Sequence, residues 1–259
     1  MAWCEGCDLP PGLGDNRSIW SAGSMKGLKK RWARWSKRLR RLLVLTLFAG
    51  LAVSVLMVAP LRWIDPPVSS VMLQRFISEG RSQRQHWVDL EQTGPYLALA
   101  VIAAEDQRFA EHSGFDTREV IAAIERRLEG GSLRGASTIS QQVARNLFLW
   151  QKRSFVRKGF EVWFTGLLEA FWPKRRILEM YLNFAETGRR LFGVGAASRH
   201  YFGVAPDRLS PQQAALIAAT LPNPVRYRVD APSERVLARR DWILQQMDNL
   251  GGPDYLKRL

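Results

Sequence analysis

Residues Ala100 to Asp116 read AVIAAEDQRFAEHSGFD, and the fold turns on how the apolar half of that stretch is read. From Ala98 to Ala104 the side chains are apolar without interruption. A pattern with no polar face predicts a helix buried all round. It delivers a carboxylate pair, Glu105 and Asp106, into a polar segment with Arg108, His112, Gly114 and Asp116. A carboxylate at the C-terminal end of a buried helix is desolvated and faces the negative pole of the helix dipole. Both effects disfavour the ionised form and raise its pKa. Glu105 is therefore a candidate proton acceptor. On these residues alone, a plain solvated helix end accounts for the pair at least as well.

Outward from this stretch the chain reads as a series of helices. Gly94-Pro95 punctuates, with Pro95 suited to the first helical position of the run that ends at Glu105. Before it, Val71 to Ile77 predicts a short amphipathic helix and Trp87 to Gly94 a turn-rich approach. After it, Asp116 and Thr117 open a second helix with Val120, Ile121 and Ile124, stopped at Gly130-Gly131. Residues 130–150, GGSLRGASTISQQVARNLFLW, join a glycine loop to a helix opened by Thr138 and Gln141 at capping-box spacing. Free N–H groups at such a helix start can receive an anion, but a plain connection has the same sequence. Arg145, Lys152, Arg153, Arg157 and Lys158 follow closely and lead into a helix from Phe155 to Phe171. Its expected core stripe is Phe160, Trp163, Phe164, Leu167, Leu168 and Phe171. Glu161 borders that stripe, with Arg157 four and Lys158 three residues before it. That spacing serves a surface ion pair as readily as a second site carboxylate held ionised by cations. Further helices are expected around Ile177 to Asn183, Ala196 to Tyr201, Ser210 to Thr220 and Ser233 to Leu250. No segment alternates with period two, so the expectation is a mainly helical domain.

A chain of 259 residues that is 46% hydrophobic can bury a core. Cys4 and Cys7 form a lone CxxC, and His86, His112 and His200 are scattered, so no metal cage is expected. The net charge of +14 would suggest nucleic acid if it were spread over the chain. Instead, nine basic residues and no acid lie between Lys26 and Arg41, directly before the uncharged stretch Leu42 to Leu61. About 20 apolar residues match the ~30 Å hydrocarbon core of a bilayer. Basic residues stay on the cytoplasmic side, so everything after Trp63 is expected outside the cytoplasm, and no nucleic acid is expected as partner. Arg62-Trp63 after Pro60 looks like an interfacial anchor rather than a cleavage site, which favours an uncleaved anchor over a signal peptide. The expected organisation is a basic leader to residue 41, a transmembrane helix over 42–61, a membrane-proximal segment over 62–94 stiffened by Asp65-Pro66-Pro67, and a catalytic domain over 95–259. Met25-Lys26 would begin a more ordinary leader than Met1, so translation is expected to start at Met25. N-terminal sequencing of the natural product decides between them.

With these pieces in place the chain resembles the peptidoglycan glycosyltransferases, the lysozyme-like transglycosylases of glycosyltransferase family 51, and among them the monofunctional, membrane-anchored members. EDQRFAEHSGFD resembles the first motif of the family, GASTISQQVARNL its second and RKGFE its third. RRILEMYLN with the glycine segment after it resembles the fourth and fifth. No Ser-x-x-Lys occurs, so the transpeptidase half of bifunctional relatives is not expected. Arg145, Ser140 and Pro173 stand where family members commonly have Lys, Thr and Ser.

The resemblance implies a helical lysozyme-like domain that polymerises lipid II into glycan and releases undecaprenyl pyrophosphate. Glu105 would be the general base on the acceptor hydroxyl and Glu161 the second carboxylate near the diphosphate. Asp106, Phe109 and His112 match first-motif positions, and Ser137, Thr138, Gln141 and Gln142 match the second. With Arg145, and with Arg157 and Lys158 from the third, they are the expected substrate-binding set. No cofactor is expected to be required; a divalent cation at the diphosphate, Mg or Mn, stays open. Expected partners are lipid II, the nascent strand, membrane lipid and other proteins of wall synthesis or division. The expected location is a bacterial inner membrane, with the N-terminus cytoplasmic and the catalytic domain periplasmic. The rival readings are a lytic enzyme that cuts glycan with its carboxylates and a membrane-tethered scaffold with no activity.

Overall fold

A computed structural model describes residues 22–130, 137–152 and 154–259, with only the backbone given for residues 22–31, 33 and 34. The Cys4/Cys7 pair, Arg153 and most of the glycine loop (residues 131–136) lie outside the described residues. The chain divides into two units, Met1–Val53 and Ser54–Leu259.

The basic block and the apolar stretch are not separate elements. Both lie in one helix, α1 (Ala22–Val58). With the turn after it, Trp35–Arg62 is the one helix among the described residues long and apolar enough to cross a membrane. In the first unit its side chains at Leu43, Leu45, Leu47 and Phe48 are exposed, as a lipid-facing surface requires.

The second unit is built on α3 (Pro95–Glu105), in which every residue from Leu97 to Ala103 is buried. Helices α9 (Pro211–Thr220) and α10 (Glu234–Asn249) pack against it on one side. The small side chains Ala214, Ala215, Ala218 and Ala219 are all buried in α9. Helices α5 (Ile139–Phe148), α6 (Phe155–Phe171) and α7 (Lys174–Phe184) pack on one another to form the second layer. From the membrane-proximal segment, α2 (Ser70–Glu79) docks on the end of α5, with Ser70 Oγ and Gln74 Nε2 both donating to Leu149 O (2.7 and 3.0 Å). Arg176 of α7 secures the chain just before it, donating to Leu61 O and Ile64 O (both 3.0 Å) and pairing with Asp65 (2.7 Å).

One small sheet interrupts the helices. Strands β1 (Arg84–Gln85), β2 (Glu186–Gly188) and β3 (Leu191–Phe192) form it in the order β1-β3-β2, with β1 parallel and β2 antiparallel to β3, and α8 (Val194–Phe202) follows β3. Strands of two or three residues are too short to carry a period, which is why none is visible in the sequence. Asn183 ties the sheet region to α7. Its side chain accepts from Val88 N (2.9 Å) and donates to Val88 O (2.8 Å), while its carbonyl accepts from Gln85 Nε2 (3.0 Å). Gly193 is needed beside it: φ is +78°, and a Cβ there would lie 2.7 Å from Asn183 O.

Two expected apolar faces are not buried. In α4 (Thr117–Leu128), Val120, Ile121, Ile124 and Leu128 are exposed and only Ala123 is buried. In α6, Phe164 and Leu168 are buried and Leu167 and Phe171 partly so, but Phe160 and Trp163 are about half exposed. The physical reason is local: the second layer covers only one edge of α6, and Trp163 instead donates Nε1 to Ser54 Oγ (3.2 Å) near the end of α1.

Asn183→Ala would leave a buried N–H and a buried carbonyl of Val88 unpaired. A loss of about 3 kcal/mol is expected in denaturant unfolding. A change within a few tenths of a kcal/mol would mean that the 85–88 segment is held by other contacts.

Candidate active site

Helix α3 ends at Glu105 because Asp106 leaves helical geometry, at φ −164° and ψ 75°. The Glu105 side chain is left in the interior, only 15% exposed. Oε2 accepts from Gln142 Nε2 at 2.9 Å, whereas Oε1 is buried with no hydrogen-bond partner among the described residues. The guanidinium of Arg239 approaches it, but Nη2 lies 3.6 Å from Oε1, too far for a good hydrogen bond. Burial pushes the Glu105 carboxyl above its usual range, against smaller opposing effects of Gln142, Arg239 and Arg145. The solvated helix end is thereby excluded.

Gln142 also lines a cavity of about 270 Å³, together with Arg145, Asn146, Arg157, Tyr181 and Glu186. Arg157 carries the site on to Glu161. Its Nη1 donates to Glu161 Oε2 at 2.7 Å, and Lys158 Nζ donates to Oε1 at 2.5 Å. Glu161 is 3% exposed, so this is a buried carboxylate held by two cations rather than a surface pair. Such a pair is costly to break, because an unpartnered charge is left in the interior. The polar cavity wall therefore brings together Gln142, Arg145 and Arg157, with Glu105 and Glu161 each one hydrogen bond behind it.

The other expected residues are not on that wall. Asp106 is buried between two partners: Oδ2 accepts from Ile139 N (3.0 Å), and Oδ1 accepts from His112 Nε2 (2.8 Å). Gly114 N donates to His112 Nδ1 (3.2 Å), which leaves the ring proton on Nε2. Phe109 is fully buried, with the Lys174 ammonium 4.5 Å from its ring centroid. Thr138 caps α5 through a reciprocal box with Gln141 and donates its hydroxyl to Gly114 O (2.7 Å). Ser137 is exposed at the edge of the undescribed loop. These residues fix the start of α5 against the turn after α3 and so aim Gln142 at Glu105.

Asp106, His112 and Asp116 place one potential metal-ligand atom each within 4.8 Å of one another. Their chemistry does not suit a cation. Asp116 Oδ1 already takes Arg108 Nη1 (2.8 Å) and the N–H groups of Arg118 and Glu119, and both ring nitrogens of His112 are engaged.

The structure adds residues that were not singled out from sequence. Tyr181 and Glu186 face the cavity, and burial raises both their pKa values, that of Tyr181 well above its ordinary range. Arg75 of α2 pairs with Glu186 at 3.1 Å. Arg239 approaches Glu105 from α10. Its signal is in the sequence, since it sits three residues after Val236 and four before Ile243, on the buried stripe of α10.

The transglycosylase family model matches residues 70–248. The chain belongs to that family. It is 48% identical over 240 residues to a biosynthetic peptidoglycan transglycosylase of Xanthomonas campestris pv. campestris (strain B100), covering 89% of this chain and 98% of the relative. The protein of the same name from Ectopseudomonas mendocina (strain ymp) is 51% identical over 225 residues, covering 85% and 93%. That from Stutzerimonas stutzeri (strain A1501) is 50% identical over 214 residues, covering 81% and 88%. The transglycosylase match begins at residue 70, so it takes in α2 and β1 as well as the segment from Pro95.

A buried acid with a raised pKa keeps its proton to higher pH in the folded chain than in the unfolded one, so stability falls as pH rises from the unfolded value towards the folded one. Glu105→Gln removes that titration. The melting temperature of the variant relative to wild type should climb as pH is raised from about 4 to 8, starting near the unfolded pKa of ~4.3. A difference that stays flat with pH would mean that Glu105 is not desolvated in the folded protein.

Proposed function

We propose that this transglycosylase polymerises lipid II by an inverting displacement in which Glu105 is the general base. The observation that carries the reading is Glu105 itself, a buried carboxylate with one oxygen held by Gln142 and the other unpartnered. In the proposed step, the 4-hydroxyl oxygen of the incoming sugar attacks the anomeric carbon of the lipid-linked strand. Its proton passes to Glu105 Oε1. The bond from the anomeric carbon to the diphosphate oxygen breaks, and undecaprenyl pyrophosphate departs with the electron pair. A base with a raised pKa suits this task, because a proton acceptor works best with a pKa near the working pH.

Arg145 and Arg157 on the cavity wall, and Lys158 beside Glu161, supply positive charge for the departing diphosphate. Glu161 acts through them, holding Arg157 and Lys158 in one geometry. Asp106, His112, Phe109, Thr138 and Gln141 contribute by fixing α5. Ser137, exposed just before Thr138, would be free to meet substrate.

A lipid-tailed substrate accounts for the membrane helix. Confining enzyme and substrate to one surface raises their effective concentration. The basic residues before the span support a cytoplasmic N-terminus and a catalytic unit on the periplasmic side of an inner membrane. The exposed Phe155, Val156 and Phe160 on α6 suit contact with lipid.

Purified full-length protein given labelled lipid II in detergent or liposomes tests the reading. Long glycan with release of undecaprenyl pyrophosphate is expected, and cleavage of preformed glycan in its place would make the protein a lytic enzyme. Glu105→Gln should reduce polymerisation by about a hundredfold to ten-thousandfold, since general-base assistance is worth ~10² to 10⁴ and the amide cannot take the proton. Turnover at the wild-type rate would remove Glu105 as the base. Glu161→Gln should cost about tenfold to a hundredfold through loss of the two cation contacts; an unchanged rate would return Glu161 to a purely structural role.

A further inference from the structure

Glu105 is approached from α10 by a guanidinium that belongs to none of the stretches carrying the family resemblance. Arg239 Nη2 donates to Ala104 O at 3.3 Å and lies 3.6 Å from Glu105 Oε1. Ala104 O is one of the last carbonyls of α3, which have no intrahelical donor and form the negative end of the helix. One side chain thus caps the helix that ends at Glu105 and faces the carboxylate oxygen that has no hydrogen bond. Arg239 Nε is also buried without an acceptor. An unpartnered donor and an unpartnered acceptor therefore sit on two side chains already in contact. Leaving both unmade costs stability, and the stripe position of Arg239 would otherwise suit an apolar residue.

We infer that Arg239 is a positioning residue for glycosyl transfer: it fixes Glu105 at the end of α3 and sets the pH below which that carboxylate stops accepting protons. The inference rests on Glu105 being the base. The surroundings leave Arg239 a distinct part to play. From α5, Glu105 meets the neutral Gln142 and the cation Arg145; from α7, Tyr181; from its own turn, Asp106. Helix α9 carries no charged residue. In the C-terminal segment packed on α3, Asp254 and Lys257 pair with each other and Arg258 pairs with Glu111, while on α10 Arg240 pairs with Asp241. Arg145 lines the cavity, where the reading above engages it with the diphosphate. Arg239 is then the cation left to oppose the desolvation of Glu105 throughout the cycle. Once Oε1 has taken the proton, the guanidinium keeps Ala104 O and stays in place for the next turnover.

The test is the pH dependence of lipid II polymerisation by the full-length chain, between about pH 5 and pH 9, for wild type, Arg239→Gln, Arg239→Met, Arg239→Lys and Glu105→Gln. Removing the cation raises the pKa of the base, so the acid limb of kcat/KM in Arg239→Gln and Arg239→Met should move up by about one pH unit. At a pH on that limb this is about a tenfold loss, with much less on the plateau. Arg239→Lys should restore the limb towards wild type. A loss of equal size at every pH with an unmoved limb would overturn the inference. So would failure of both Arg239→Gln and Arg239→Met to fold, read by thermal melting, since Arg239 would then be structural. Glu105→Gln separates the two claims: full activity in that variant removes the base assignment, whereas an inactive Glu105→Gln beside an unmoved limb in Arg239→Gln removes only the part given to Arg239.

Discussion

The arrangement depends on one buried carboxylate whose two oxygens are both engaged within the protein. Asp106 accepts the amide of Ile139 and the imidazole of His112, and through the first of these it sets where α5 begins. Every side chain that α5 presents to the cavity inherits its position from that contact. Gln142 comes one turn after the helix start and Arg145 nearly another, so a shift of α5 by one residue would turn Gln142 away from Glu105. The Thr138–Gln141 box pairs the amides of those two residues at the same helix end, and Thr138 also reaches Gly114, which couples α5 to the turn that holds His112. A charged group with several hydrogen bonds in the interior is worth more than the same bonds at the surface, and it tolerates few alternatives.

That network explains why the first and second motifs lie close in space although eighteen residues, 117–134, separate them in the chain. It also distinguishes two kinds of site residue. Glu105, Gln142, Arg145 and Arg157 offer atoms to the cavity or to the groups lining it. Asp106, Phe109, His112 and Thr138 spend their polar atoms and ring faces on one another and on the helix start. Ser140 and Lys174 extend the second group by meeting at Glu169, which packs where Gly114 has no side chain.

Much of this was legible in the sequence, for reasons that can be stated residue by residue. The unbroken apolar run before Glu105 could only be buried, and the helix starts at Pro95, Thr138 and Ser210 are written in capping chemistry that acts over three residues. What could not be read depends on partners distant in the chain. Whether Glu161 with its i−4 and i−3 cations is a surface pair or a buried one depends on what covers that face, and the spacing is the same for both. Periodicity made Val120, Ile121 and Ile124 one apolar face, but it does not say that a neighbour exists to cover it. Asn183 reads as the last polar residue of a short helix, and its hold on Val88 appears only when residues nearly a hundred apart are brought together. Arg239 could have been found, because a guanidinium on the buried stripe of a helix demands an acid nearby.

The unpartnered atoms converge on the same place. Among the described residues, the buried side-chain nitrogens and oxygens without a hydrogen bond are Glu105 Oε1, the Nε atoms of Arg157, Arg239 and Arg75, and Gln83 Oε1, the last of which is outside the cavity lining. Arg157 lines the cavity, Arg75 pairs with Glu186 on its wall, and Arg239 faces Glu105. Native interiors leave few such groups, because each costs on the order of 1 to 3 kcal/mol. Four of the five belong to side chains that line one cavity or are linked through contacts to its lining, so that cost falls mainly around one place. On the proposed reading these unmade hydrogen bonds would be completed by a substrate, with an acceptor for a hydroxyl proton at Glu105 and donors for an oxygen-rich group along the arginines. The cavity is polar because it is built to be completed by something else, and the apolar run from Leu97 to Ala103 supplies the rigidity that lets those groups stay unpaired until it is.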